Sequence, residues 1–181
     1  LKAQGEPDQA LEHYRRALAI REKVLGVEHA KTAGSHVSIA RLLKAEGEPD
    51  QALEHYRKAL AIREKALGVE HVKTADSHIS IALLLKSQGE PDQALEHYRQ
   101  ALAIREKVLG IEHAETVDCH VNIAVLLKNQ NKPDQALAHY LQALAIREKV
   151  LGVEHADTAD CHLRLADLLD EQDEPERALL H

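Results

Sequence analysis

The sequence predicts an all-α chain, a solenoid of antiparallel helix pairs. Three observations carry this expectation. A segment of 42 residues recurs along the whole chain: Leu1-Lys2-Ala3-Gln4-Gly5-Glu6-Pro7-Asp8 returns at Leu43–Asp50 and Leu85–Asp92, and in altered form from Leu127 and Leu169. Residues 1–42 and 43–84 share 35 identities, so most repeated residues are repeated for structural reasons. Within each period apolar residues recur at three- and four-residue intervals, and Pro and all Gly but Gly34 fall at fixed places. The apolar content of 44% comes with four Tyr and no Phe, Trp or Met. Ala and Leu must fill the core, which suits close helix packing.

The elements follow in order. A leading helix is predicted over 7–25, three helix pairs over 31–67, 73–109 and 115–151, a further helix over 157–172 and a stub from Pro175. In one helix of each pair, Ala52, Leu53, Tyr56, Leu60 and Leu67 form a single stripe. Pro49 occupies the first turn, where its missing N–H costs nothing, and Gly68 ends the segment. In the other, His36, Ile39, Ala40 and Leu43 face one way and Gly47 closes the helix. The short turn at Gly47-Glu48 makes the two helices antiparallel. A single pair leaves apolar surface uncovered, and stacking covers it. All of 1–181 reads as one array: a partial repeat over 1–28, repeats over 29–70, 71–112 and 113–154, and a truncated repeat over 155–181. Tyr14, Tyr56, Tyr98 and Tyr140 are expected at equivalent buried positions. The opening without Met, in mid-repeat, reads as a piece of a longer chain.

The repeat resembles the tetratricopeptide family. Its signature appears as His36-x2-Ile39-Ala40-x2-Leu43, then Ala52-x3-Tyr56, then Ala59, with matching spacings in every complete unit. The period, the run Ala59-Leu60-Ala61-Ile62-Arg63-Glu64-Lys65 and the turn Leu67-Gly68-x-x-His71 resemble the 42-residue subtype of kinesin light chains. The chain departs from that subtype at Ala30, Val72, Ala114 and Ala156, where Pro follows the turn His, and keeps its Asn only at Asn122.

The resemblance implies a right-handed superhelical solenoid whose first helices line a concave groove. One edge then holds Gly34, Asp76, Asp118 and Asp160. The floor holds Val37, Ile79, Val121 and Leu163, with Ser38, Ser80, Asn122 and Arg164 beside it. Arg41, Leu83 and Val125 stand on the same face, and Lys44, Lys86 and Lys128 form the other edge, followed by Asp170. The function implied is a protein–protein interaction scaffold holding a partner peptide or helix with acidic and aliphatic residues. Two alternatives stay open: end-to-end self-assembly of nearly identical repeats, and a cargo adaptor like kinesin light chains.

Charge is uneven. Residues 1–156 hold 22 acids and 21 bases, and 157–181 hold 8 acids and 2 bases. Asp160, Asp167, Asp170 and Glu171 make that end acidic, either as a polarised groove or as a polar cap. A net charge of −7 and the lack of Phe and Trp argue against nucleic acid. No apolar run is long enough to cross a bilayer. Cys119 and Cys161 repeat one slot, too far apart for a disulfide, so both are expected reduced, which points to a cytoplasmic setting.

Twelve of thirteen His fall in three repeated slots. Copies of a slot lie a whole repeat apart and Cys119-His120 diverge around their helix, so no metal or other cofactor is expected. The turn histidines, His29 and its copies, read as helix caps. No nucleophile motif, phosphate loop or paired carboxylate appears, and no enzymatic activity is expected.

Overall fold

A computed structural model describes residues 5–172, with side chains from residue 8 onward. The described residues form eight helices: α1 (Gly5–Leu25), α2 (Ala30–Ala45), α3 (Pro49–Leu67), α4 (Val72–Ser87), α5 (Pro91–Leu109), α6 (Ala114–Asn129), α7 (Pro133–Leu151) and α8 (Ala156–Asp170). Each predicted helix is found, with ends shifted by at most two residues. The stub from Pro175 lies outside the described residues. No described helix is long and apolar enough to cross a membrane.

The punctuation works as local chemistry dictates. Gly68 ends α3 at φ 94° and Gly152 ends α7 at φ 92°. In the shorter turn, the amide of Glu48 donates to the Leu43 carbonyl at 2.8 Å around Gly47, as Glu90 does to Leu85 at 2.9 Å. The α6–α7 turn replaces that glycine with Asn131, which takes φ 56° and keeps the matching bond from Lys132 to Leu127 at 3.0 Å. Asn is one of the few side chains that tolerate this region.

The longer turn carries two further locks. His29, His71, His113 and His155 are the N-caps of α2, α4, α6 and α8, each accepting at Nδ1 from the amide two residues on, at 3.0–3.2 Å. Buried Thr32, Thr74, Thr116 and Thr158 donate back to the glycine carbonyl that ended the preceding helix, at 2.8–2.9 Å. Replacing His71 with Ala is expected to cost about 1 kcal/mol, the usual loss for an N-cap, while His71→Asn retains most of it. Urea melts of the two variants check this.

The chain divides into two compact units, Leu1–His97 and Tyr98–His181. In the first, α1 packs on α2, α2 on α3 and α3 on α4; in the second, α6 packs on α7 and α7 on α8. Small side chains bring these helices close. Ala33, Ala40, Ala52 and Ala59 are fully buried in the first unit, and Ala124, Ala136 and Ala143 in the second. Ile39, Ile81, Leu84 and Leu85, and in the second unit Ile123, Leu126, Leu127, Leu165, Leu168 and Leu169, fill the space between.

Two expectations need correction. Leu60 and Leu67 lie half-buried at the margin of the α3 stripe, and Ala59 takes the core position. Tyr14 is 42% exposed, whereas Tyr56, Tyr98 and Tyr140 are 5%, 1% and 2% exposed. The reason is packing: α1 is covered chiefly by α2, while α3 packs between α2 and α4, and α7 between α6 and α8.

Candidate protein-binding groove

In the first unit five of the predicted groove residues line one hollow. Val37, Arg41 and Lys44 stand on α2 at spacings of four and three, so they share one face. Ser80 and Leu83 stand likewise on α4. All five line a single hollow whose sixth member is Tyr56, supplied by α3. The hollow is apolar at Val37, Tyr56 and Leu83 and basic at Arg41 and Lys44. Leu83 is 43% exposed although large and apolar. Burial pushes the Tyr56 hydroxyl above its usual range, and Arg41 pulls it partly back. Tyr56 was legible only as core, since the sequence pattern does not reveal that its edge reaches the open face.

The remaining residues of this unit take different roles. Ser38 donates to the Gly34 carbonyl at 3.2 Å and Ser80 to the Asp76 carbonyl at 2.9 Å, so both hydroxyl protons are spent on the preceding helical turn. Each still has lone pairs for an incoming donor. Ile79 and Lys86 are half-buried, Lys44 is exposed, and Asp76 bears electrostatically on Arg63 of α3.

In the second unit, Val121, Asn122 and Val125 are half-buried along α6, and Leu163 on α8 is 63% exposed. Charged members of the predicted edges are engaged internally. Lys128 pairs with Glu171 at 2.9 Å, and Asp118 pairs with Arg147 at 3.2 Å. Arg164 donates to the Tyr140 hydroxyl. Asp160 and Asp170 are exposed. The three ladder lysines are therefore not equivalent: Lys44 reaches solvent, Lys86 is half-buried and Lys128 pairs with Glu171, the C-cap of α8.

A second repeated device escaped the sequence reading. Arg21, Arg63, Arg105 and Arg147 each reach from the end of one helix to the first turns of the next. They donate to the carbonyls of Lys31, Lys73, Glu115 and Asp157 at 2.7–3.2 Å. They also reach Ser35 and Ser77 at 2.8 and 2.7 Å, and the sulfurs of Cys119 and Cys161 at 3.5 and 3.3 Å. The two cysteines thus sit in a serine slot as buried free thiols. Burial raises both thiols above the usual range, with the adjacent Arg opposing the rise. The signal was present as four arginines in register, each followed fourteen residues later by Ser or Cys. Among the described residues, no group of three or more His, Cys, Asp or Glu is placed to hold a metal.

Comparison with known proteins agrees with this fold. The Tetratricopeptide repeat family model matches four overlapping stretches, 1–65, 32–107, 74–149 and 115–181. No curated protein matches the chain significantly. Among solved structures, BtubC (BKLC) from P. vanneervenii superposes with a TM-score of 0.86 at 24% identity, over 98% of this chain and 70% of that one. A Podosopora anserina putative kinesin light chain with nearly identical TPR-like repeats gives a TM-score of 0.83 at 26% identity, over 97% and 83%. The apo form of RapI gives 0.82 at 22% identity, over 97% of this chain and 46% of that one, and shows the fold alone. With family matches that run the length of the sequence, and a fold shared with a kinesin-light-chain-type repeat protein, the chain belongs to the tetratricopeptide repeat family.

Proposed function

We propose that the chain is a protein-binding module that holds an extended or helical segment of a partner, selected for acidic and aliphatic residues. The observation that carries this reading is the hollow on the first unit. Val37, Tyr56 and Leu83 offer apolar surface beside Arg41 and Lys44, and among the described residues no acid pairs with Lys44 as Glu171 does with Lys128. An aliphatic side chain seated on Leu83 gains its transfer free energy, and a neighbouring carboxylate gains a charge-assisted bond.

The test is an array of peptides that alternate acidic and aliphatic residues, followed by titration calorimetry of the best binder. Arg41→Glu with Lys44→Glu is expected to weaken binding at least tenfold and to flatten its salt dependence. Lys128→Glu is expected to change affinity less than threefold, because Glu171 already neutralises that lysine. Equal losses at Lys44 and Lys128, or no acidic-aliphatic binder in the array, would count against the reading. Light scattering over a concentration series separates it from end-to-end self-assembly, which gives a growing series of oligomers without any peptide.

A further inference from the structure

Three pairs of histidines meet ring edge to ring edge, each joining the two helices of one repeat. The Nδ1 atoms of His36 on α2 and His55 on α3 are 2.9 Å apart. Those of His78 on α4 and His97 on α5 are 2.9 Å apart, and those of His120 on α6 and His139 on α7 are 3.0 Å apart. The ring centroids lie 5.1–5.2 Å apart with the planes tilted by 37–43°, so the rings meet end to end rather than stacked. The geometry is the same in all three, although the charged neighbours differ. His36, His78 and His120 are 7%, 6% and 5% exposed, and their partners are half-buried.

Two imidazole nitrogens at this distance form a hydrogen bond only when one carries a proton and the other a lone pair. Two neutral rings meet that condition with opposite tautomers. One added proton, at the outer Nε2 of the donor ring, leaves it intact. A second does not: both Nδ1 atoms then carry N–H groups aimed at each other, on two like charges. We propose that the three histidine pairs are proton-released latches, closed when neutral and opened when both rings of a pair become charged as pH falls, which loosens the first helix of each repeat from the second.

The surroundings favour the neutral state. Desolvation is the main cause lowering all six rings below the ordinary histidine value, and it takes His78 to about 4. Around the first pair, Lys58 and Arg15 oppose protonation and Glu54 favours it. Around the second, Arg57 opposes and Glu96 favours it. Around the third, Arg99 opposes it, and Glu106 lies 3.7 Å from Nε2 of His120. Because the folded values lie below the unfolded one, the unfolded chain takes up protons first as pH falls. The contribution of the pairs is therefore complete above about pH 6.5 and declines through the folded values, to about 4 for His78.

Nitrogen-15 NMR of the intact chain between pH 8 and 4 tests the proposal without any substitution. Scalar coupling between the two Nδ1 atoms of each pair is expected at pH 7.5. The six paired rings are expected to titrate below the ordinary histidine value of about 6.5, with coupling lost as each pair takes its second proton. In urea melts over the same range, each ring neutral in the fold and charged when unfolded raises the unfolding constant by up to about tenfold per pH unit. The double variant His78→Leu, His97→Leu is expected to lower that dependence by about two protons. Paired rings that titrate at the ordinary histidine value of about 6.5 and show no Nδ1–Nδ1 coupling would overturn the proposal. So would a double variant that folds with the full pH dependence.

Discussion

Replacing Tyr98 with Ala is expected to destabilise the chain by about 3–5 kcal/mol, as deletion of a fully buried aromatic ring usually does. Tyr98 is 1% exposed, and burial pushes its hydroxyl up to about 12. The same substitution at Tyr14, 42% exposed, is expected to cost less than about 1 kcal/mol. The hydroxyl adds a second, opposite test. The Tyr98 hydroxyl is buried and finds no hydrogen-bond partner among the described residues, while the Tyr140 hydroxyl accepts from Arg164. The slot that holds Arg164 beside Tyr140 holds the shorter Asn122 one repeat earlier. Removing an unpartnered buried hydroxyl relieves its desolvation cost, so Tyr98→Phe is expected to stabilise by about 1 kcal/mol. Tyr140→Phe loses the bond from Arg164, whose exposed guanidinium turns to water, and is expected to cost about 1 kcal/mol. Urea melts followed by circular dichroism decide both points. Equal effects of Ala at Tyr98 and Tyr14, or one sign for both Phe variants, would contradict the packing described above.

The helices were legible because their signals are local. Pro49 and Gly68 bracket α3 by backbone geometry alone, and Ala52 and Tyr56 mark its buried face by spacing, although the predicted stripe ran on to Leu60 where Ala59 is buried. One side of the hollow was legible for the same reason, since Val37, Arg41 and Lys44 share a helical face whatever packs behind them. Contacts across a turn were not. His36 meets His55 nineteen residues away, and Arg63 meets Ser77 fourteen away, at separations fixed by how two helices cross rather than by the period of either. Reading each histidine slot against its own copies, 42 residues apart, concealed that two different slots converge. The pairing of Lys128 with Glu171 also depends on where the last helix packs, so the lysine ladder looked uniform in sequence and is not. Tyr14 shows the converse: an identical residue in an identical local pattern, exposed because burial depends on the neighbouring helices.

The arginine that closes each long turn carries the second large effect. Arg105 is 8% exposed and binds three groups of α6: the Glu115 carbonyl at 2.9 Å, the Glu115 carboxylate at 3.0 Å and the Cys119 sulfur at 3.5 Å. A charged donor to a carbonyl is worth about 1.5–3 kcal/mol, and the aliphatic stem adds packing. The ion pair adds less, because the Glu115 side chain is 45% exposed and screened by water. Arg105→Ala is therefore expected to cost about 3 kcal/mol. Arg105→Lys keeps the charge and loses the planar fork that reaches carbonyl and carboxylate together, so about half the loss is expected to remain. Arg21, exposed, makes the corresponding bonds to Lys31 and Ser35 at 3.2 and 2.8 Å, and Arg21→Ala is expected to cost about 1 kcal/mol. Cys119→Ser places a hydroxyl where Ser77 already serves Arg63 at 2.7 Å, and it is expected to be tolerated within about 1 kcal/mol. Amide exchange of α6 reads the effect locally, because each helix of a repeat array depends chiefly on its neighbours. Full restoration by Lys, or faster exchange on Cys119→Ser than on Arg105→Ala, would show that the guanidinium fork is not what holds the turn.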